Sequence, residues 1–267
     1  MRVGVVGLGG MGLPMAATLI SAGHPVVFHA RRPDVIAKVT AAGGVDAGSL
    51  QGVGAGSDVV VVCVFNDEQV VDVCLGPDGL LASMAPGGTL VNHTTGSPTT
   101  TARLGAVAAD GGVRVLDAAL SGGAADITAG RVTLLVGGDA GVLDDARPVL
   151  SAYANPILHV GPLGDGQRVK LVNNAVFAAN IALVGHAERI AAGLGVDPAV
   201  ALEAISHCSG DSYVLRTTIA LGSAARVQEV AGRYIRKDVA IVSQVAAELG
   251  VDLGLLGVLA ADAGAHG

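Results

Sequence analysis

Short valine-rich runs alternate with helical patterns between residues 2 and 161. Strands separated in this way by helices form βαβ units, in which a parallel sheet carries helices on both faces. Two further runs, VTLLVGG at 132–138 and ILHVG at 157–161, extend the same sheet. The alternation therefore predicts an α/β domain with a doubly wound sheet. Its first five strands are predicted at RVGVV (2–6), PVVFHA (25–30), DVVVVCV (58–64), GTLVNH (88–93) and VRVLDA (113–118).

The strand pattern stops after residue 162, and only helical patterns follow. They are separated by GVDP (195–198), HCSGDS (207–212) and GVDLG (250–254). The first of them, at residues 169–194, is apolar on nearly every face, which is typical of a buried helix. We therefore expect an α/β domain at residues 1–162 and an all-α domain at residues 163–267, begun by a long interdomain helix.

A glycine-rich loop directly follows the first strand and opens a helix. It consists of Gly7, Leu8, Gly9, Gly10, Met11 and Gly12. GxGxxG at this place is the dinucleotide-binding fingerprint of a Rossmann-type sheet. Gly7 allows the tight turn, Gly9 lets the backbone approach a pyrophosphate, and Gly12 lets helix and strand pack closely. The helix N-terminus offers N–H groups to the phosphates. The loop predicts a nicotinamide dinucleotide cofactor.

The end of the second strand bears on the choice between NAD and NADP. A site for NAD usually has an acidic residue there, which accepts hydrogen bonds from the ribose hydroxyls. This strand instead ends in HARRPD, and the guanidinium groups of Arg31 and Arg32 suit a 2′-phosphate. The sequence favours NADP. Asp34 is close enough to keep NAD as the alternative.

Composition and charge argue against several classes of partner. The formal net charge is −7, no Lys/Arg cluster stands out, and aromatic residues make up 2% of the chain, so nucleic-acid binding is not expected. No long apolar stretch lacks polar or helix-breaking residues, so we expect no membrane span. The three cysteines form no CxxC or Cys/His pairing, which favours a reducing cytoplasm and gives no metal site. The N-terminus has no signal-peptide cleavage pattern.

Five segments stand in order along the chain: GLGGMGLPMAATL (7–19), LVNHTTGSP (90–98), DAALSGG (117–123), GPLGDGQRVKLVNN (161–174) and RKD (236–238). Together they resemble the β-hydroxyacid dehydrogenase family, which includes 3-hydroxyisobutyrate dehydrogenase and tartronate semialdehyde reductase. The resemblance implies an NADP-dependent oxidoreductase that interconverts a β-hydroxy acid and its semialdehyde or keto form by hydride transfer.

The resemblance makes Lys170 the general acid/base and Asn174 a residue that orients the substrate, with Asn173 beside it. Residues i and i+4 share one helix face, so both side chains can point at one substrate oxygen. A lysine at the start of an apolar helix loses solvation, and we expect this to lower its pKa toward the working range. The alternative is a lysine whose ammonium reaches water beside ordinary polar residues of a helix start.

The resemblance also implies binding roles at the ends of other strands and near the C-terminus. Ser121, Gly122 and Gly123 would hold the substrate carboxylate, because a hydroxyl and bare backbone N–H groups form an anion nest. Ser121 is also a candidate catalytic residue. An ordinary strand-to-helix turn is the alternative for this segment. Further residues implied at the cofactor are Val64, Phe65, Asn66, Thr94, Thr95 and Lys237, with Asp238 near the substrate.

The chain departs from the family pattern at positions that affect the choice of substrate. Ala119 and Leu120 replace a Pro-Val pair, and Asp126 falls in a turn that normally has small residues. Val230 stands seven residues before Lys237, where several relatives have Phe, and a smaller residue there enlarges the expected pocket. The substrate thus stays unnamed.

Two other functions fit parts of the sequence. An imine reductase has a similar architecture, but such enzymes generally lack the lysine that Lys170 matches. A non-catalytic NADP-binding module would have to have lost its acid/base residue, and Lys170 is present. The oxidoreductase of β-hydroxy acids is therefore the leading interpretation.

The helical part also predicts self-association. The segments VAIVSQVAAELG (239–250) and LGLLGVLAADAG (253–264) contain more apolar surface than about 100 residues wrapped around one helix bury alone. Exposed apolar stripes mark partner surfaces, and symmetric association is the commonest way to cover them. The resemblance implies the same domain as the contact, so we expect a homodimer or homotetramer. The chain ends at Gly267, earlier than typical members, so we expect a short last helix.

Overall fold

The computed structural model describes residues 1–265, with side chains for residues 1–261 other than Ala231 and Arg233. It divides into two compact units, of which the first comprises Met1–Lys170 and the second begins at Leu171. The domain boundary proposed after residue 162 stays a prediction.

The first unit is built on an eight-stranded sheet with the strand order β3-β2-β1-β4-β5-β6-β7-β8. All seven predicted strands are present. A two-residue strand, β3, was missed because so short a segment carries no periodicity. The strands are β1 (Val3–Val6), β2 (Val26–His29), β3 (Val45–Asp46), β4 (Val59–Val62), β5 (Thr89–Asn92), β6 (Arg114–Ser121), β7 (Val132–Gly137) and β8 (Ala154–Gly161).

The sheet is parallel except between β6 and β7, which pair antiparallel. The expectation of a parallel sheet is therefore correct for most of the sheet and wrong for this pair. The connection between them, residues 122–131, is shorter than the dozen or more residues that a parallel crossover needs. A short connection leaves the chain at the same edge, so the next strand runs back.

Helices cover both faces of the sheet, which is why consecutive residues of the central strands are all apolar. In β4, Val59 and Val61 belong to one buried cluster, whereas Val60 and Val62 belong to another on the opposite face. The helices are α1 (Gly12–Ser21), α2 (Pro33–Ala41), α3 (Leu50–Ala55), α4 (Asp67–Leu75), α5 (Pro98–Asp110), α6 (Ala124–Thr128) and α7 (Ala140–Leu150).

The chain direction places the ends of five strands at one edge of the sheet. β1, β2, β4, β5 and β6 run parallel, so the segments that follow them emerge at the same edge. Ligands of α/β sheets bind at the carboxyl ends of the strands. This edge therefore carries the glycine-rich loop, the arginines after β2, and residues 63–66, 93–97 and 121–123.

A long helix, α8 (Asp165–Gly193), begins in the first unit and continues into the second. Up to residue 265, the rest of the second unit consists of helices and the segments that connect them, as predicted. Within it, Leu171 and Ala175 of α8 pack against Val242 and Val245. In the described part of the chain, no helix has both the length and the hydropathy to cross a bilayer. The further helices are α9 (Pro198–Ser206), α10 (Tyr213–Leu221), α11 (Ala224–Leu249) and α12 (Gly254–Ala265).

The prediction that α8 is buried on nearly every face is wrong for one stripe. Val172, Val176, Leu183 and Ile190 are exposed by 62%, 41%, 50% and 61%. Three of these residues are seven positions apart, so they lie along one side of the helix. Ala178 and Ile181 belong to the buried core of the helical unit. The helix is therefore apolar all round but covered only in part.

Candidate active site

The glycine-rich loop packs closely on neighbouring backbone at two of its glycines and is open at a third. Gly7 has a φ of +93°, and a Cβ there would collide with the Cys63 carbonyl. A Cβ on Gly12 would collide with the Gly7 carbonyl. A Cβ on Gly9 would meet no described atom within 4 Å. The loop thus packs tightly on the sheet while its outer backbone stays accessible. This is the shape that a pyrophosphate requires at a helix N-terminus.

The arginines after β2 are exposed at the edge where a dinucleotide ribose is recognised. Arg32 is the N-cap of α2, and its Nη2 lies 3.6 Å from the Asp34 Oδ2. Both side chains are more than half exposed, so this ion pair is weak and leaves the guanidinium accessible. Sequence reasoning missed a second pair at this edge, in which His29 Nδ1 lies 3.8 Å from Asp46 Oδ1 on β3.

The segments after β4 and β5 are joined by hydrogen bonds. The Val64 N–H donates to Thr94 Oγ1 at 3.0 Å, and the Thr94 N–H donates to Asn92 Oδ1 at 3.1 Å. Thr95 is half-buried, and Phe65 is 37% exposed. Asn66 is the N-cap of α4 and accepts a hydrogen bond from the Gln69 N–H. Its side-chain oxygen is therefore used in capping.

The predicted carboxylate nest lies at the end of β6, and Ser121 is the last residue of that strand. The Gly123 N–H donates to Asp126 Oδ2 at 2.9 Å, and Asp126 Oδ1 lies 3.2 Å from Arg131 Nε. We expected bare N–H groups here. Instead, one of them is already bound by a carboxylate of the protein. Asp126, which stands out in the sequence, acts as a cap of α6.

Two buried polar residues, one in β6 and one at the start of α8, were not singled out as site candidates from the sequence. Asp117 in β6 is fully buried and accepts hydrogen bonds from the Gly164 and Gln167 N–H groups, each at 2.7 Å. Burial raises the pKa of Asp117, and the two backbone hydrogen bonds oppose this shift. Gln167 is also fully buried. The sequence did contain a signal for this arrangement. Asp117 is an acid inside an apolar strand, and a buried acid requires hydrogen-bond partners.

Lys170 is half-buried on α8, one turn before Asn174. Asn174 is buried, and its amide donates to Asp238 Oδ2 at 2.6 Å. Lys237 Nζ lies 3.1 Å from Asp238 Oδ1, and Asn173 donates to Asn174 Oδ1 at 3.1 Å. The helical unit therefore brings together four predicted residues from two distant segments of the chain, namely Asn173, Asn174, Lys237 and Asp238.

Val230 lies on α11, two turns before Lys237, and is 68% exposed. Its proposed effect on pocket size stays a prediction. Within the described residues, no cluster of three or more His, Cys, Asp or Glu side chains could hold a metal ion.

A GxGxxG loop after the first strand of a doubly wound sheet is typical of an NAD(P)-dependent oxidoreductase. Comparison with known proteins agrees with this class. Residues 2–161 match the family model described as the NAD binding domain of 6-phosphogluconate dehydrogenase. Residues 164–262 match the model described as NAD-binding of NADP-dependent 3-hydroxyisobutyrate dehydrogenase.

Curated relatives specify the family. The chain is 36% identical over 216 residues to an NAD-dependent L-serine dehydrogenase of Pseudomonas aeruginosa, covering 80% of this chain and 72% of the relative. It is 36% identical over 215 residues to a 3-hydroxyisobutyrate dehydrogenase of the same organism, covering 80% and 72%. The chain belongs to the β-hydroxyacid dehydrogenase family and is an NAD(P)-dependent dehydrogenase or reductase of hydroxy acids.

Solved structures support the same assignment. A 3-hydroxyisobutyrate dehydrogenase of Mycobacterium tuberculosis described with L-serine has a TM-score of 0.87 and 29% identity, covering 98% of this chain and 92% of that one. An imine reductase from Pseudomonas sp. has a TM-score of 0.69 and 20% identity, covering 98% and 92%. The second likeness shows a shared fold alone, so the imine reductase interpretation gains no support beyond the fold.

Proposed function

We propose that this oxidoreductase uses NADP to interconvert a small β-hydroxy acid and its semialdehyde or ketone, with Lys170 as the general acid/base. The observation that carries the proposal is the placement of Lys170 one turn before Asn174, whose amide is held by Asp238 at 2.6 Å. A fixed amide and a half-buried amine on one helix face suit a single substrate oxygen.

In the oxidative direction, the neutral amine of Lys170 takes the proton of the substrate hydroxyl and becomes an ammonium. The second N–H of the Asn174 amide orients the same oxygen while the carbonyl forms. A dinucleotide held by the glycine-rich loop would supply the hydride acceptor for the substrate carbon. In reduction, the Lys170 ammonium returns the proton to the oxygen. A positioned acid/base of this kind contributes roughly 10²–10⁴-fold in rate.

Substrate recognition is proposed for the end of β6 and for the helical unit. Ser121 and the backbone of Gly122 and Gly123 bind the substrate carboxylate, and Asn173 and Asp238 assist in the helical unit. Asp126 already accepts the Gly123 N–H, so its negative charge stands beside this nest. This arrangement supports a substrate whose carboxylate is held mainly by the Ser121 hydroxyl and the remaining N–H groups.

Cofactor recognition is proposed for the glycine-rich loop, Arg31, Arg32, the segments after β4 and β5, and Lys237. The exposed guanidinium groups support a preference for the 2′-phosphate of NADP. The relatives do not all use NADP, since the L-serine dehydrogenase is described as NAD-dependent.

Hydride transfer measured against a substrate panel tests the proposal. The panel contains 3-hydroxyisobutyrate, L-serine, 2-hydroxy-3-oxopropionate and a cyclic imine, each with NADP(H) and NAD(H). We expect turnover of at least one β-hydroxy acid or semialdehyde with NADP(H), and its loss in Lys170→Ala but not in Lys38→Ala, an exposed lysine on α2. Turnover of the imine alone would support the alternative enzyme. Cofactor binding without any turnover would support a binding module.

We also propose that the protein associates through its helical unit and works in the cytoplasm. The exposed stripe of α8, formed by Val172, Val176, Leu183 and Ile190, supports self-association. A second copy of the chain is the simplest partner for such a stripe. The odd number of cysteines without paired motifs supports a reducing compartment.

A further inference from the structure

The side chain of Gln167 joins the start of α8 to the segment after β5. It is fully buried. Its Nε2 donates to the Thr94 carbonyl at 2.9 Å, and its Oε1 accepts from the Gly96 N–H at 3.1 Å. One amide thus satisfies both an acceptor and a donor of the same loop backbone. Such a two-point contact defines the distance and the orientation of the loop relative to the helix.

The loop at residues 94–97 is in turn fixed to the strand and helix beside it. The Thr94 hydroxyl accepts from the Val64 N–H at 3.0 Å, and the Ser97 N–H donates to Asp67 Oδ2 at 2.8 Å. A Cβ on Gly96 would collide with the Asp67 carboxylate, so the backbone runs directly against it. Gln167 is therefore bonded to a rigid loop.

Asp117 holds the backbone of the same helical turn. Its two oxygens accept the Gly164 and Gln167 N–H groups, each at 2.7 Å. A Cβ on Gly166 would lie 2.6 Å from Asp117 Oδ2 and 2.6 Å from the Leu135 carbonyl, so this turn is seated directly on the sheet. Lys170 follows Gln167 by three residues, in the next turn of α8.

We infer that Gln167 is a positioning residue for Lys170, with Asp117 as its partner on the sheet side. The inference rests on the acid/base role proposed for Lys170. Because α8 is continuous here, a rotation or shift of its first turn is carried directly to the lysine. A misplacement of about 1 Å reduces catalysis by about 10²-fold. An apolar side chain of similar size would leave the Thr94 carbonyl and the Gly96 N–H without this partner, and the amide meets both only when the first turn of α8 holds one position.

Gln167→Met and Gln167→Glu test this inference, with Gln244→Met on α11 as the matched control at an exposed position. We expect Gln167→Met to lower kcat by about 10- to 100-fold while the Kd for NADPH changes by less than about threefold. A protonated glutamic acid reproduces one donor and one acceptor, whereas a carboxylate faces the Thr94 carbonyl with negative charge. Activity of Gln167→Glu relative to the unmodified protein should therefore rise as pH falls.

Burial and the neighbouring acids, Asp117 and Asp67, favour the protonated form of the introduced glutamic acid, whereas the Gly96 N–H favours the carboxylate. A relative activity of Gln167→Glu that does not depend on pH would overturn the inference. So would a kcat of Gln167→Met equal to that of the control.

Two further measurements separate this inference from the proposed role of Lys170. In the Lys170→Ala background, Gln167→Met should lower kcat by less than about threefold, because the residue through which it acts is gone. The pH midpoint for acetylation of the Lys170 amine, followed by mass spectrometry, should shift in Gln167→Met and not in Gln244→Met. An unchanged midpoint would overturn the inference. Near-normal turnover of Lys170→Ala would instead refute the proposed function, whatever the acetylation result.

Discussion

The Asn174 amide donates a 2.6 Å hydrogen bond to the Asp238 carboxylate, 64 residues further along the chain. The bond joins α8 to α11 inside the helical unit, and Lys237 lies 3.1 Å from the other carboxylate oxygen. An amide nitrogen carries two N–H groups. Asp238 takes one of them, and the proposed mechanism assigns the other to the substrate oxygen. Asp238 therefore orients the residue that is proposed to orient the substrate.

Replacement of Lys170 by alanine should lower kcat by roughly 10²–10⁴-fold, because the proton of the substrate oxygen loses its positioned acceptor. The Kd for NADPH, measured by fluorescence titration, should change little. Lys38→Ala, which removes an exposed lysine, is the control. A Lys170 variant with near-normal turnover would remove this residue from the acid/base role.

Replacement of both Arg31 and Arg32 should weaken binding of NADPH by ~1.5–3 kcal/mol for each charged hydrogen bond lost. NADH lacks the 2′-phosphate, so its binding should change little. Titration of each variant with both cofactors measures the difference. Arg147→Ala, on an exposed face of α7, is a suitable control. An equal loss for NADPH and NADH would contradict the assignment.

Replacement of Asp126 by glycine should lower KM for β-hydroxy acids by several-fold, on the order of 1 kcal/mol in binding. The change frees the Gly123 N–H and removes a negative charge beside the proposed carboxylate site. Asp126→Asn separates the two effects, since an amide oxygen still accepts the N–H without the charge. Steady-state kinetics with a carboxylate substrate and with its amide would measure the effect. An equal change for both substrates would show that charge is not involved.

The buried pair of His93 and Tyr153 should make stability depend on pH. His93 Nδ1 donates to the Ala118 carbonyl at 2.5 Å, and the Tyr153 hydroxyl donates to Nε2 at 2.7 Å. Burial lowers the pKa of His93 from 6.5 to about 4, although the bond to Ala118 opposes this shift. The neutral ring is therefore required in the folded state. The contribution of the neutral His93 ring to the free energy of unfolding is fully present above pH 6.5 and is lost as pH falls toward 4.

The size of this effect is about 3 kcal/mol, since each pKa unit corresponds to about 1.4 kcal/mol. Urea unfolding at several pH values would measure it as the difference in free energy of unfolding between the unmodified protein and His93→Gln. The pKa of Asp117 is raised, so this residue makes the folded state more stable as pH falls, opposite to His93. The comparison of the two proteins cancels this effect, because Asp117 is present in both. A difference that stays constant from pH 7 to pH 4.5 would contradict the prediction.

Light scattering behind a sizing column should give the mass of a dimer or larger assembly at micromolar concentration. Leu183→Glu places a charge on the exposed stripe of α8 and should shift the protein toward monomer. Leu158→Glu, at an exposed leucine of the first unit, should leave the mass unchanged. A monomer mass for the unmodified protein would refute the proposal of self-association.

Local patterns were sufficient for the elements and for the glycine-rich loop. The alternation of valine-rich runs with helical patterns predicted seven of the eight strands, and the GxGxxG loop after β1 packs tightly on its surroundings at Gly7 and Gly12. Whether neighbouring strands pair parallel or antiparallel was harder to predict from the sequence. The antiparallel contact of β6 with β7 depends on the length of one connection, and β3 is too short to show a period.

The amino-acid sequence was enough to show which chemical groups are present and which of them are close along one element. Lys170 and Asn174 share a helix face because helical geometry places residues four apart on one side. The partners of the buried polar groups depend instead on how distant segments fold together. Gln167 meets Thr94 and Gly96 across more than 70 positions, and Asn174 meets Asp238 across 64. Hydrogen bonds require atoms about 3 Å apart in defined directions, and the backbone path that brings distant atoms to that range is set by packing of the whole unit.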